Sequence, residues 1–343
     1  MSLPSPASRV QDIEPFHVMD ILARARALEA TGRDIVHMEI GEPDFPTAPP
    51  IVEAGIQALR AGHTHYTPAL GLPALREAIA DFYHSRYGVR VPAARIVVTP
   101  GASGALLLAL GVLLGRDDEL LLADPGYPCN RHFARFLEAR ARSIPVGPDT
   151  RYQPTPDAIA AHWQPRTRAL LVATPGNPTG TLLALNELAA LHTAVAARGG
   201  ALIVDEIYHG LTYGCEACTA LAVSDEVFVV NSFSKYFGMT GWRLGWLVAP
   251  ADLLPALERL AQNLFLAPST LAQHAALAAF RPETLAILEE RRGEFRRRRD
   301  FLVPALRELG FAVPVVPDGA FYVYAGCERF TDDSMALARR LLE

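Results

Sequence analysis

The segment Asn231-Ser-Phe-Ser-Lys-Tyr-Phe-Gly-Met-Thr-Gly-Trp-Arg-Leu-Gly245 decides how the whole chain is interpreted. It follows an apolar run at residues 227–230 that is typical of a buried strand. Its Lys235 is the single lysine among the 32 lysine and arginine residues of the 343-residue chain. A genome rich in arginine codons explains the other positions but not this exception. Since a guanidinium stays protonated whereas an amine can attack a carbonyl carbon, the segment indicates amine chemistry at Lys235.

Groups that can bind a phosphate flank this amine. The hydroxyls of Ser232 and Ser234 precede it, and the guanidinium of Arg243 follows it. Such groups are strong partners for phosphate oxygens. A phosphate-bearing aldehyde held beside a lysine amine is what a Schiff-base cofactor requires. The segment therefore favours such a cofactor over a Gly-rich loop with incidental polar residues.

Outward from this segment, short apolar runs alternate with helical patterns. Strands are predicted at residues 95–98, 119–123, 169–173, 201–204, 227–230 and 244–248. Helices are predicted at residues 103–114, 185–198 and 253–264. The near-continuous apolar character of the runs suits strands that are covered on both faces. This order predicts an α/β domain with a mostly parallel sheet, whose ligands lie past the carboxyl ends of the strands.

The two ends of the chain have a different pattern. Residues 283–309 read as one long charged helix, residues 321–324 as a strand and residues 334–343 as a further helix. We predict a large domain at 46–280 and a smaller α+β domain made of 1–45 and 281–343. Because the last helix reaches the final residue, we expect the chain to be a truncated form of a longer protein.

Bulk composition limits the partners of the protein. A net charge of −5 argues against nucleic acid or an anionic membrane. No apolar run is long enough to span a membrane, and the N-terminus lacks the order of a signal peptide, so we expect a cytoplasmic protein. The four cysteines make no disulfide framework. Cys215 and Cys218 are spaced as half a zinc site, but nothing completes it, so no metal is expected.

The motif Ser-x-Ser-Lys followed by Gly-x-x-Gly-x-Arg-x-Gly resembles the cofactor-lysine signature of class I/II aminotransferases of fold type I. The resemblance extends over nearly the whole chain. It implies a mostly parallel seven-stranded sheet flanked by helices, with pyridoxal 5'-phosphate (PLP) as cofactor. It also implies that Lys235 binds PLP covalently and then acts as the general acid and base, and that Arg243 and Ser232 bind the cofactor phosphate.

Two further motifs gain meaning from this resemblance. In Ile203-Val-Asp-Glu-Ile-Tyr208, an aspartate that ends a strand would ordinarily cap a helix or form a turn. The resemblance implies that Asp205 pairs with the pyridine nitrogen of PLP, and that Tyr208 bonds the 3-oxygen of the ring. Thr174-Pro-Gly-Asn-Pro-Thr-Gly180 alone reads as a turn. The resemblance implies that Asn177 contacts the same 3-oxygen and lies beside the substrate.

Other segments complete the match. Free amides at a helix N-terminus bind phosphate, and the turn at 99–105 resembles the family's phosphate-binding turn, with Ala102 and Ser103 as donors. Tyr127 corresponds to the aromatic that stacks on the cofactor ring. Gly41 corresponds to the strip beside the substrate carboxylate. Tyr66 corresponds to a tyrosine that reaches the phosphate of the neighbouring subunit, which implies a homodimer with shared active sites.

The sequence thus predicts an aminotransferase of amino acid metabolism, with a biosynthetic role. It would move an amino group between an L-amino acid and a 2-oxo acid in two half-reactions. A PLP-dependent β-lyase is the alternative that uses the same motifs; a PLP-binding regulatory module and a nucleotide-binding α/β protein fit less well. The family's arginine for the substrate carboxylate is expected beyond Glu343. Phe16, Tyr66 and Tyr127 indicate a mixed or apolar pocket, but the amino donor is not predicted.

Overall fold

The computed structural model describes residues 5–343 of the chain. Its strands are β1 (Ile96–Thr99), β2 (Glu119–Asp124), β3 (Arg140–Pro145), β4 (Thr167–Ala173), β5 (Ala201–Asp205), β6 (Phe228–Ser232) and β7 (Gly245–Val248). Its α-helices are α1 (Ser8–Gln11), α2 (His17–Glu29), α3 (Pro49–Arg60), α4 (Pro73–Tyr87), α5 (Gly101–Leu113), α6 (Cys129–Phe136), α7 (Pro156–His162), α8 (Leu185–Ala196), α9 (Leu254–Leu264), α10 (Thr270–Ala276), α11 (Pro282–Leu309) and α12 (Ser334–Leu342). Helices therefore alternate with strands through the middle of the chain, as the sequence pattern predicts.

The seven strands form one sheet in the order β1-β7-β6-β5-β4-β2-β3. Strand β7 runs antiparallel to both of its neighbours, and the remaining pairs are parallel. Strands β1, β2, β4, β5 and β6 consequently end at the same edge of the sheet. The loops after these strands carry most of the predicted site residues, so the topology alone gathers them at one edge.

The sheet lies between two apolar cores. Successive residues of a strand point to opposite faces, and in β2 Leu121 belongs to one core while Leu120 and Leu122 belong to the other. Helix α5 packs on the second face with α9, and α3 and α10 pack together on the first. Burial on both faces explains why the strand sequences are apolar almost throughout. Among residues 5–343, no helix has the length and apolarity needed to cross a membrane.

The two ends of the described chain meet. Helix α2 packs against α12, and Arg24 of α2 forms an ion pair of 2.7 Å with Glu343. In the loop between α2 and α3, Asp44 pairs with Arg298 of α11 at 2.9 Å. These contacts join the two ends of the described chain, and the smaller domain made of 1–45 and 281–343 stays a prediction.

All six predicted strands are present, but the pattern failed at two other places. Strand β3 was missed because, unlike the fully buried edge strand β1, it carries exposed and partly exposed residues, including Arg140 and Arg142. The strand predicted at 321–324 is wrong. That segment follows Ala320, whose φ of 57° breaks an extended course, and only isolated bridges pair the neighbouring residues. The predicted helices are confirmed to within two residues at each end.

Candidate active site

A cavity of about 470 Å³ opens at the edge of the sheet where β1, β2, β4, β5 and β6 end. Nine of the predicted site residues line it: Gly41, Ala102, Ser103, Tyr127, Asn177, Asp205, Tyr208, Lys235 and Arg243. They come from distant parts of the chain and are brought together by the parallel strands. The cavity is therefore the candidate active site.

Lys235 lies just after β6, and its amine projects into this cavity. Its Nζ donates a hydrogen bond of 2.5 Å to the carbonyl oxygen of Gly41 and lies 5.9 Å from the centre of the Tyr208 ring. Burial lowers the pKa of Lys235 to about 8, because the charged ammonium loses its hydration there. An appreciable share of the amine is consequently neutral near neutral pH, as a nucleophile requires.

Asp205 ends β5 with a buried carboxyl group that is only 6% exposed. Its Oδ1 accepts a hydrogen bond of 3.1 Å from the backbone amide of Ile207. Burial raises the pKa of Asp205 to about 7, an effect that this hydrogen bond and the distant charge of Lys235 only partly oppose. Among the described residues, no cationic side chain forms a salt bridge with this carboxyl group. A cationic N–H group in the cavity would supply the missing partner.

A chain of three polar side chains lies beside the lysine. Asn177 Nδ2 donates a hydrogen bond of 3.3 Å to Tyr208 Oη, which is 2.7 Å from Tyr322 Oη. Burial raises the pKa of Tyr208 well above its ordinary value, so this phenol stays protonated and can donate. Tyr322 was missed because the sequence pattern assigned its segment to a strand. A Cβ on Gly41 would lie 2.1 Å from Tyr322 Oη, so only glycine allows this approach.

Arg243 and the N-terminus of α5 together form a site suited to an anion, here called the anion cradle. The helix begins at Gly101, and Ala102 and Ser103 in its first turn line the cavity. Gly101 has a φ of 69°, and a Cβ there would lie 2.7 Å from Arg243 Nη2. The guanidinium of Arg243 therefore lies close to the N-terminus of α5, where free amides and the helix dipole already favour negative charge.

Two predicted residues lie outside the cavity wall. Ser232 is buried, and its hydroxyl donates to the carbonyl oxygen of Leu244 at 3.0 Å and lies 2.9 Å from the hydroxyl of Ser234. Ser234 itself lines the cavity, so Ser232 is one hydrogen bond away. Tyr66 is 81% exposed on the surface of the chain. The predicted contacts of Ser232 and Tyr66 with a phosphate stay predictions.

Aromatic and apolar side chains complete the wall. Tyr127 lines the cavity, and Phe16 packs edge-on against it with ring centres 6.3 Å apart. Val18 and Met19 at the start of α2 line the same part. Of the three residues expected to form a mixed or apolar pocket, Phe16 and Tyr127 line the cavity and Tyr66 does not. Sequence reasoning missed Val18 and Met19, because nothing local indicates that α2 covers the cavity.

Comparison with known proteins identifies the family. The family model for class I and II aminotransferases matches residues 33–343. The chain belongs to this family. It is 41% identical over 332 residues to a valine–pyruvate aminotransferase of Mycobacterium tuberculosis, an alignment that covers 96% of this chain and 85% of the relative. It is 34% identical to an aspartate/prephenate aminotransferase of Thermus thermophilus over 98% of this chain and 88% of that protein.

Solved aminotransferase structures agree with this assignment. An aminotransferase from Mycobacterium tuberculosis superposes with a TM-score of 0.94 at 40% identity, over 99% of this chain and 88% of that one. The aspartate aminotransferase of Thermus thermophilus with maleate superposes with a TM-score of 0.94 at 33% identity. This match covers 99% of this chain and 90% of that chain. The aminotransferase is thus a PLP-dependent enzyme of fold type I that transfers amino groups between amino acids and oxo acids.

The cavity of this aminotransferase fits PLP at both of its charged ends. The buried carboxyl group of Asp205 suits the protonated ring nitrogen, and the cradle of Arg243 and the α5 N-terminus suits the phosphate. Lys235 is the one lysine available for the aldehyde.

Elsewhere, Cys215 is exposed and Cys218 half-buried. No group of three or more metal-ligating side chains occurs among residues 5–343.

Proposed function

We propose that Lys235 is the catalytic residue of this aminotransferase and binds PLP covalently through Nζ. When bound, PLP supplies an electron-withdrawing ring that stabilises negative charge at the Cα of an attached amino acid. With PLP bound, Lys235 Nζ would be the group placed to hold and move the Cα proton of a bound amino acid. The observation that carries this proposal is a single, partly buried amine in the cavity, whose pKa is lowered to about 8 by desolvation.

The remaining residues orient the cofactor in this proposal. Asp205 holds the proton on the ring nitrogen, because its buried carboxylate has no other cationic partner among the described residues. Asn177 and Tyr208, which are hydrogen-bonded to each other, would bind the 3-oxygen of the ring. The aromatic ring of Tyr127 would pack against the cofactor ring. The phosphate is held by Ala102, Ser103, Ser232 and Arg243.

The amino donor is an L-amino acid and the acceptor a 2-oxo acid, with Gly41 and Asn177 beside the substrate. The relatives are named for chemically different donors, among them valine, aspartate and arginine. Their names therefore support the reaction without selecting one side chain. A biosynthetic role and a cytoplasmic location stay predictions of the sequence.

A panel of substrates tests the proposed reaction. The PLP-loaded protein is mixed with single L-amino acids in the absence of any acceptor, and the products are separated by chromatography. We expect pyridoxamine phosphate and the matching 2-oxo acid in equal amounts, and a 2-oxo acid added next should restore PLP. Ammonia and pyruvate released together with a leaving group would instead indicate β-elimination, and no product with any donor would refute the proposal.

We also propose a homodimer in which Tyr66 completes the active site of its partner. The support is its 81% exposure together with its position outside the cavity of its own chain. Val36 and Met38 are 80% and 70% exposed, and such apolar surface favours association. Sedimentation equilibrium of the PLP-loaded protein should give twice the chain mass. A monomer with full activity would contradict the proposal.

A further inference from the structure

The cavity wall contains a carboxyl group that the proposed function leaves unused. Glu39 lines the cavity, and its side chain is only 11% exposed. The charged groups Lys235, Asp205 and Arg243 are engaged with the cofactor in the proposed function. Among residues 5–343, Glu39 and Glu42 are then the remaining charged side chains that line the cavity, and both are negative. A substrate bound beside the cofactor therefore lies near negatively charged side chains.

The position of Glu39 is fixed by a histidine. His37 Nδ1 lies 2.7 Å from Glu39 Oε1, and His37 Nε2 lies 3.0 Å from Glu29 Oε1 at the end of α2. Hydrogen bonds to these two carboxyl groups raise the pKa of His37. Burial alone would raise the pKa of Glu39, but the bonds from His37 and the backbone outweigh it, and the pKa is lowered. Even a protonated His37 leaves a net charge of about −1 on the three groups.

Glu42 adds charge of the same sign. Its carboxyl group accepts a hydrogen bond of 2.5 Å from the hydroxyl of Thr240, which holds it at the exposed side of the cavity. The same cavity is also lined by the apolar side chains of Phe16, Val18 and Met19. A substrate side chain therefore meets hydrocarbon and negative charge here.

Resting on the proposed function, we propose that Glu39 is a specificity-determining residue that rejects substrates with a second carboxylate. Like charges a few ångströms apart repel each other, and the effect is stronger where water is partly excluded. The cavity would then accept monocarboxylic amino and oxo acids with uncharged or cationic side chains. It would discriminate against aspartate, glutamate and their 2-oxo acids by a factor of about ten.

The Glu39→Gln variant of the PLP-loaded protein tests this proposal by binding as well as by rate. Calorimetry with maleate, a dicarboxylate that cannot react, should give a dissociation constant about tenfold lower in the variant than in the wild type. The constant for 3-methylbutanoate, which has one carboxylate, should change little. The ratio of kcat/KM for glutamate to that for the best uncharged donor should rise by the same factor of about ten.

A second variant is expected to change maleate binding in the opposite direction. His37→Gln removes the positive partner and keeps the Glu39 carboxylate, so maleate should bind more weakly than to the wild type. This variant keeps the proposal testable if Glu39→Gln does not fold. Glu308→Gln on the exposed surface of α11 makes the same charge change away from the cavity and should leave both constants unchanged.

Each outcome points to one of the two proposals. Unchanged maleate binding in Glu39→Gln, or a wild type that prefers aspartate or glutamate over uncharged donors, would overturn the role of Glu39 while amino transfer itself stands. A wild type that converts no donor at all would refute the proposed function instead. Tighter maleate binding in Glu39→Gln together with weaker binding in His37→Gln supports the charge-based mechanism.

Discussion

The Lys235→Ala variant is expected to lose covalent PLP attachment and to transfer amino groups on the order of 10⁴-fold more slowly than the wild type. Alanine removes both the nucleophile for the aldehyde and the group that moves the Cα proton. Because Lys235 is the single lysine of the chain, no other side-chain amine can take its place. Visible absorbance after PLP addition measures attachment, and single-turnover experiments with the best donor measure the rate.

Lys235→Arg is the matched control for charge. Its guanidinium keeps the positive charge in the cavity but stays protonated and cannot condense with an aldehyde. We therefore expect it to fail as alanine does, whereas a purely electrostatic role for Lys235 predicts that arginine restores activity. Thermal unfolding of both variants establishes that they are folded. An alanine variant with the absorbance and turnover of the wild type would be incompatible with the proposed chemistry.

The second large effect is expected for Asp205→Asn, with a loss in kcat/KM of about 10²–10⁴-fold, since breaking a buried charge pair costs about 3–5 kcal/mol. An amide has no negative charge with which to hold a proton on the ring nitrogen. PLP should still attach to Lys235 in this variant, which separates the effect from that of Lys235→Ala. Asp252→Asn, at an exposed position, is the control and should retain full activity.

The same substitution should change how the stability of the PLP-free protein depends on pH. Burial raises the pKa of Asp205 from its ordinary 3.8 to about 7, so between these values the folded state holds a proton that the unfolded state has lost. The wild type therefore loses stability as pH rises through this window, by up to about 1.4 kcal/mol per pH unit, and Asp205→Asn lacks this loss.

Denaturant unfolding across this window measures the difference between the two proteins. All other titrating groups are shared, so the difference isolates Asp205. We expect the free energy of unfolding of the variant, minus that of the wild type, to increase as the pH rises. Parallel curves would mean that the carboxyl group is not held in a desolvated position.

The fold followed from the sequence wherever burial on both faces imposed an apolar pattern. The six predicted runs, which are the five interior strands and the fully buried edge strand β1, were found for this reason. Strand β3 has a solvated edge and alternating arginines, and an edge strand of this kind has no distinctive pattern. Residues 321–324 carry strand-forming side chains, but a positive φ at Ala320 and packing against the cavity override their propensity.

The candidate site was predictable where its residues belong to motifs that are local in sequence. Lys235, Asp205 and Asn177 each follow a strand in a short recognisable segment. Tyr322 and Glu39 have no such context, because their contacts with Tyr208 and His37 depend on how distant or irregular segments fold together. Residues of this second kind line the cavity without belonging to a recognisable motif, so the sequence predicted the reaction without the donor.

The most direct test of the central claim is reduction of the PLP-loaded wild type with borohydride, followed by proteolysis and mass spectrometry. The chain has two kinds of primary amine, the N-terminus and Lys235, so the assignment is unambiguous. We predict one equivalent of reduced cofactor on the peptide that contains Lys235. Cofactor on the N-terminal peptide alone, or no covalently bound cofactor, would contradict the proposed role of this amine.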